Sequence, residues 1–169
     1  MFTVEINDTE VLAALDRATS VLTDATSMMN AIGDVLHGQV EDRFQTQAGP
    51  DGTAWAPRSA VTLKNYERRK LKFGGILHLS GQLSGNIFHD YDADSVRVGS
   101  PEPWAAVQQF GAEQGAFGAF MGKDKLGRDH FHHLPWGNIP ARPYLGFSDE
   151  DREGIIAIVT ETIAAALEG

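Results

Sequence analysis

Residues 26–45 read TSMMNAIGDVLHGQVEDRFQ, a stretch whose apolar side chains recur at spacings of three and four residues. The recurring residues are Met28, Met29, Ile32, Val35, Leu36, Val40 and Phe44. This spacing predicts a helix with one buried face. Gly33 and Gly38 interrupt the helix, and each lowers its propensity by about 1 kcal/mol relative to alanine, so tertiary packing must hold it. We expect a close helix contact at the two glycines.

Two further helices are predicted at the ends of the chain. Near the start, Asn7, Asp8 and Thr9 offer N-caps for a helix that carries Val11, Leu12, Leu15 and Leu22 on one stripe. Near the end, Ser148 and Asp151 form an S-x-x-D capping pattern. The apolar stripe of that last, amphipathic helix comprises Ile155, Ile156, Ile158, Val159, Ile163 and Leu167.

Two segments have strand character. Phe2, Val4 and Ile6 alternate with polar residues, which predicts a short edge strand. Residues 87–91 and 95–99 flank the turn 92–94 and predict a β-hairpin. The expected fold class is therefore α+β: a small, mostly antiparallel sheet with a hairpin, packed against the N-terminal helices and the C-terminal amphipathic helix.

The middle of the chain is predicted to hold short elements and a long loop. Residues 48–53 form a strong turn, and a short basic helix should run from Ser59, as its cap, to Lys70. A second short helix should follow Pro103 and end at Gly111. Residues 112–138 are rich in glycine and show no helical or strand period, so we expect an extended loop or arm, suited to partner contact, within a single domain covering 1–169.

Composition excludes several classes of protein. The 169 residues carry 14 basic and 23 acidic side chains, a net charge of −9, so general attraction to nucleic acid or to anionic membranes is not expected. Without cysteine there are no disulfides, thiolate zinc sites or cysteine nucleophiles. No apolar run is long enough to span a membrane, and Met1–Glu5 lacks the basic start of a signal peptide, so we expect a soluble protein made in the cytoplasm.

The charge is unevenly distributed. Residues 57–72 carry a net charge of +5 and residues 123–143 a net charge of +2, within an otherwise acidic chain. Opposite patches suit contacts between copies or with complementary partners. The alternative is a solvated helix face.

No catalytic motif stands out. His130, His132 and His133 are the clearest candidates, because neighbouring imidazoles can bind zinc or nickel, yet no HExxH or other partner motif accompanies them. The serines at 80 and 84 lack the first glycine of a nucleophile elbow, and no Gly-Lys-Ser/Thr loop is present. We therefore predict no enzymatic activity, no cofactor and no metal, and keep a histidine-dependent metallohydrolase as the alternative from another class.

Four pieces of the sequence, in this order and spacing, resemble one protein family. They are PDGTAWAP at 50–57 followed by Thr62 and Lys64, ILHLSGQL at 76–83, VRVGS at 96–100 with WAAVQQFG at 104–111, and IPARPYLGFS at 139–148. Together they resemble the virion morphogenesis, or tail completion, family of Mu-like tailed bacteriophages and prophages. The resemblance runs over essentially the whole chain, with residues 112–138 matched least.

The resemblance implies a non-enzymatic structural protein of the virion. It would form a homo-oligomeric ring, most simply a hexamer, at the neck or tail end, contacting the tail tube and head–tail connector proteins while DNA passes through the lumen without sequence-specific binding. The alternatives are a portal-side connector ring and an assembly chaperone absent from the finished particle. Contacts with subunits or partners are expected at Trp55, Arg58, Arg68, Arg69, Phe110, His132 and Arg142. For Trp55 the alternative is a core position, and for Arg142 it is the capping of carbonyls.

Overall fold

The computed structural model describes residues 8–168. The helices are Thr9–Thr23 (α1), Thr26–Thr46 (α2), Ala60–Arg68 (α3), Gln82–Gly85 (α4), Ala105–Phe110 (α5) and Asp149–Glu168 (α6). The strands are Phe88–Tyr91 (β1), Val96–Gly99 (β2), Ala119–Lys123 (β3) and Asp129–His133 (β4). The fold class is α+β, as predicted, with two small antiparallel hairpins, β1–β2 and β3–β4. The edge strand predicted at Phe2–Ile6 lies outside the described residues.

Within the described part, the chain divides into two compact units. Unit 1 comprises residues 8–39, 88–98 and 148–168, and unit 2 comprises residues 40–87 and 99–147. The sequence analysis predicts a single domain covering 1–169, and this remains a prediction. No helix in residues 8–168 is long and apolar enough to cross a membrane.

The core of unit 1 forms around the first part of α2. Its buried residues are Ala25, Met28, Ile32 and Leu36, and against them pack Met29, Val96 and Val98 of β2, and Ile155, Ile158 and Val159 of α6. Helix α6 comes close to α2 at Gly154, where an added Cβ would lie 3.0 Å from Val35 Cγ1. The predicted packing of the 87–99 hairpin and the C-terminal helix against α2 is confirmed.

A local capping pattern fixes the start of α6, and a residue of α1 binds its end. The Ser148 hydroxyl accepts a hydrogen bond from the Asp151 backbone N–H at 3.1 Å, and the Asp151 carboxylate accepts one from the Ser148 N–H at 2.6 Å. This is the predicted capping pattern, with the carboxylate also placed at the positive end of the helix dipole. The last turn of α6 contains no basic residue. Arg17 of α1 supplies the cation there, donating to the carbonyls of Ala166 and Leu167.

The glycines of α2 differ from the expectation. Gly33 does make a close contact, but its partner is the His89 ring of β1, whose Cδ2 and Cγ atoms occupy the space that a Cβ would need. Gly38 has no other atom within 4 Å of an added Cβ. The predicted helix contact was therefore wrong at both positions, because the element packed on Gly33 is a strand and Gly38 faces open space.

Unit 2 is built on an aromatic cluster. Phe44 lies with its ring centroid 5.5 Å from that of Trp55 and 5.3 Å from that of Tyr144, and all three side chains are buried. The Arg43 guanidinium is buried as well and donates to the carbonyls of Tyr144 and Gly146. The end of α2 and the segment around 142–146 are thus fixed to each other.

The segment 112–138 contains regular structure that the sequence analysis did not predict. Strands β3 and β4 pair from Ala119 opposite His133 to Lys123 opposite Asp129. Both faces of this hairpin are largely exposed, so its sequence lacks the apolar–polar alternation that is typical of a half-buried strand. The expectation of a loop without strands is corrected accordingly.

Candidate subunit-contact surfaces

All seven predicted contact residues belong to unit 2, and two of them, Trp55 and Arg142, are buried. Trp55 is only 5% exposed, and its indole N–H donates to the Pro143 carbonyl at 2.8 Å. Arg142 is 7% exposed and donates to the carbonyls of Ala56 and Pro57 at 2.7 and 3.1 Å. Burial, and after it the nearby Arg58 charge, lowers the pKa of Arg142 below its ordinary value. Both residues hold backbone segments in place, which was the alternative considered for each.

Arg58 organises the loop that follows α3. Its guanidinium donates to the carbonyls of Gly74, Gly75 and His78. The same group lies 5.7 Å from the Tyr66 ring centroid and 5.1 Å from that of Phe73, within the range of cation–π attraction. Arg58, which precedes the Ser59 cap of α3, therefore ties the 73–78 loop to that helix.

A cleft of about 540 Å³ opens within unit 2 beside these arginines. Arg58, Tyr66, Leu79, Trp104 and Arg142 are among the residues that line it. Both guanidiniums already donate to backbone carbonyls, so their main role in the cleft is structural.

Helix α3 and the turn after it present a concentration of positive charge. We define the basic patch as Lys64, Arg68, Arg69, Lys70 and Lys72, all of which are exposed. Ser59 caps the helix by accepting from the Thr62 N–H, as predicted. Among the described residues, no carboxylate forms an ion pair with any member of the patch. Arg68 and Arg69 thus lie where a partner could reach them.

The hairpin β3–β4 presents two different faces, as the register requires. One face carries the directly opposed apolar pair Met121 and Phe131, which are 54% and 59% exposed. On the other face the Phe120 ring stacks on His132 with a centroid distance of 5.1 Å. Gly122 makes room for that stack, since a Cβ there would lie 2.7 Å from the imidazole Cδ2. His132 is therefore held in place on the arm.

The same register separates the three histidines considered as metal ligands. His130 and His132 lie on one face of β4, with ring centroids 5.1 Å apart, whereas His133 belongs to the opposite face. Across residues 8–168, no group of three or more histidine or acidic side chains is arranged to hold a metal ion. The strand geometry thus argues against a three-histidine metal centre.

Phe110 is the most exposed large apolar side chain of the described chain, at 78%. It ends α5, and the next residue, Gly111, has a φ of 74° and lies so close to the neighbouring segment that a Cβ would be 2.6 Å from the Ile139 carbonyl oxygen. The Ala112–Ile139 bridge follows directly. Phe110 is thus an exposed aromatic group on a fixed backbone.

The structure also shows contact candidates that sequence reasoning missed, chiefly the apolar groups of the arm. Residues 112–138 carry seven exposed large apolar side chains: Phe117, Phe120, Met121, Leu126, Phe131, Leu134 and Trp136. The turn at the hairpin tip offered a signal, because Asp124 accepts from the N–H groups of Leu126 and Arg128, and Gly127 has a φ of 76°. An aspartate followed three residues later by glycine between short segments is typical of a hairpin turn.

Charge separates between the two units. The described residues of unit 1 include 14 acidic and 3 basic side chains, a net charge of −11. Unit 2 includes 8 acidic and 11 basic side chains, a net charge of +3. Both basic islands of the sequence, 57–72 and 123–143, belong to unit 2. The described chain is thus acidic in one unit and basic in the other.

Comparison with known proteins agrees with the resemblance seen in the sequence. The chain is 28% identical over 165 residues to "Putative capsid assembly protein G" of Escherichia phage Mu, covering 97% of this chain and 95% of that protein. It is 27% identical over 157 residues to "Mu-like prophage FluMu G protein 2" of Haemophilus influenzae, covering 92% and 91% of the two chains. No solved structure matches the chain. The model of the phage virion morphogenesis family matches residues 6–164, and the chain therefore belongs to that family.

Proposed function

We propose that this protein is a non-enzymatic structural subunit that forms a ring, most simply a hexamer, at the neck or tail end of a phage particle. Membership of the virion morphogenesis family supports a structural or assembly role. In the ring, the tail tube and head–tail connector proteins are the expected neighbours. DNA passes through the lumen, and the net charge of −9 disfavours its adhesion there.

The observation that carries the proposal is the exposed apolar arm, defined as residues 112–138. Soluble monomers rarely expose large contiguous apolar patches, and the fully buried centres of interfaces are enriched in aromatic residues and methionine. The arm has Met121 and Phe131 on one hairpin face, Phe120 on the other, and Trp136, 71% exposed, beyond the strands. Such an arm is suited to insertion between neighbouring proteins of a ring or of the tail.

The proposal is tested by complementation in vitro. Purified protein is added to tails and heads from a phage mutant that lacks it, and infectious particles are counted. The wild-type protein should bind the tails and restore head joining. A protein that neither binds the tails nor restores joining would contradict the proposed function.

The arm itself is tested by the double variant M121T/F131T, which removes the apolar pair while keeping residues that favour strands. Because both side chains are exposed, the fold should change little, and joining activity should fall. The matched control is M121L/F131L, which keeps an apolar pair and should retain activity. Equal activity of the two variants would exclude this hairpin face as the docking surface.

A portal-side connector ring is the second candidate. The name of the Mu relative refers to capsid assembly, which for that protein points to the head. Antibody labelling decides between the two placements: the tail-end ring requires the protein on headless tails, and the portal-side ring requires it on tailless heads. Mass spectrometry of purified virions tests the third alternative, because an assembly chaperone would be absent from the finished particle.

A further inference from the structure

We infer that the basic patch on α3 is the surface that binds the acidic unit 1 of a second copy of this chain, so that the copies join head to tail. The inference rests on the proposed ring and specifies the contact that would build it. The partner of the patch is a second copy of this chain, and complementary charge provides the specificity of the contact.

Within the described residues of one chain, the cations of the basic patch have no carboxylate partner. Three exposed cations elsewhere face carboxylates: Arg97 lies 3.8 Å from Asp90, Lys123 pairs with Asp129, and Arg128 pairs with Asp124 at 2.9 Å. Arg17 is satisfied by carbonyls. In the patch, only Arg68 has a side-chain partner, the Asn65 amide oxygen at 2.8 Å, and no carboxylate of the described chain neutralises the five cations.

The exposed surface of α3 combines cations of the patch with an apolar side chain. Val61, Lys64 and Arg68 lie on one stripe of α3, since residues three, four and seven apart share a helix face. Val61 is 51% exposed at the N-terminal end of this stripe, one turn before Lys64. An apolar residue next to positive charges suits a protein surface that offers carboxylates beside an apolar centre. Duplex DNA offers phosphates but no such centre along its backbone.

Unit 1 of a second copy is the acidic surface that complements the patch. Unit 1 has a net charge of −11 over its described residues, and unit 2 has +3. The exposed acidic groups of unit 1 include Asp149, Glu150 and Glu153 in the first turns of α6. Every copy that carries a patch therefore also carries an acidic surface that another copy can bind. Because the two surfaces are different, the contact is heterologous, and a heterologous contact can close into a ring.

The test compares two triple variants that change the net charge in opposite directions. K64E/R68E/K72E reverses three cations of the patch and takes the net charge from −9 to −15, whereas D149K/E150K/E153K reverses three exposed carboxylates of unit 1 and takes it to −3. Self-association is measured by sedimentation velocity and light scattering, and circular dichroism checks that each variant is folded. We expect each variant to self-associate about tenfold or more weakly than the wild type, because like charges then face each other. A general effect of net charge would instead strengthen the association of D149K/E150K/E153K. Unchanged or stronger association of either variant would overturn the inference.

Salt and DNA provide the independent arms of the experiment. The screening length falls from about 10 Å at 0.1 M salt to about 3 Å at 1 M, so wild-type association should weaken over this range and the patch variant should respond less. If the patch instead binds duplex DNA and its reversal leaves self-association unchanged, the inference fails. If the wild-type protein forms no oligomer alone or on tails, the proposed ring itself fails, which distinguishes the two results.

Discussion

The contact between Gly33 of α2 and His89 of β1 allows a prediction whose sign depends on a second residue. Replacing a helix-interior glycine by alanine gains about 0.8–1 kcal/mol of helix propensity. At Gly33 the new methyl group would overlap the imidazole, which is only 15% exposed and is held by the Asn30 amide oxygen at 3.3 Å. Overpacking of a filled site costs about 1–3 kcal/mol, so Gly33→Ala should give a net loss of about 0–2 kcal/mol.

The matched control lies five residues further along the same helix. At Gly38 an added Cβ meets no other atom within 4 Å, so Gly38→Ala should give the full gain of about 0.8–1 kcal/mol. In a His89→Ala background the imidazole is gone, and Gly33→Ala should then stabilise by a similar amount. The coupling free energy between positions 33 and 89 is therefore expected to be about 1–3 kcal/mol.

Urea and thermal unfolding followed by circular dichroism measure these differences. For a chain of this size, 1 kcal/mol corresponds to a shift in Tm of about 2–4 °C. Gly38→Ala should raise Tm in both backgrounds, and Gly33→Ala only when His89 has been replaced. A wild-type background in which Gly33→Ala raises Tm as much as Gly38→Ala would refute the contact and the packing of β1 on α2.

Three further outcomes follow from single contacts. Ser148→Ala removes the N-cap of α6 and should cost about 0.5–2 kcal/mol in urea unfolding, whereas Ser148→Asp should restore most of it; equal losses would contradict the cap. Trp55→Phe keeps an aromatic ring but leaves the Pro143 carbonyl without its donor, so about 1–3 kcal/mol should be lost, and an unchanged urea midpoint would contradict that bond. Hydrogen bonds, foremost from the Asp94 backbone N–H, lower the pKa of Asp92 to about 2. Its stabilisation is thus present above the unfolded-state pKa and lost as pH falls towards 2, which an NMR titration should show and Asp92→Asn should abolish.

The sequence predicted best those elements whose signals are local. Helix α2 follows from its apolar spacing, α3 from the Ser59 cap, and α6 from the Ser148 capping pattern, all of which depend on residues within one or two turns. The 87–99 hairpin follows in the same way from its central turn. In each of these elements, the cap, the apolar periodicity or the turn lies within the element or directly beside it in the sequence.

The predictions failed where a contacting residue lies far away in sequence, or where a strand has no buried face and its sequence therefore shows no periodic pattern of apolar residues. Gly33 was correctly read as a close contact, but its partner His89 is 56 positions away, and nothing near Gly33 distinguishes a strand from a helix as the neighbour. Strands β3 and β4 expose both faces, so Phe120, Met121 and Phe131 do not mark one buried face with a period of two residues. Only the Asp124 and Gly127 turn signalled this hairpin locally.

The separation of charge is also non-local, and it bears on why the chain is built this way. Unit 1 is assembled from three separate segments, each of them acidic, whereas both basic islands of the sequence fall in unit 2. A net charge of −11 within one compact unit destabilises it through self-repulsion, so the stability of the isolated chain does not explain the arrangement. In a head-to-tail assembly, the basic patch of each copy would offset the acidic unit of the next, and the repulsion would decrease at every contact formed. Salt that screens these charges should then raise the Tm of the free chain, by weakening its self-repulsion, and lower the Tm of the assembled one, by weakening its contacts. Comparing the two Tm values at low and high salt separates an arrangement suited to assembly from one suited only to solubility.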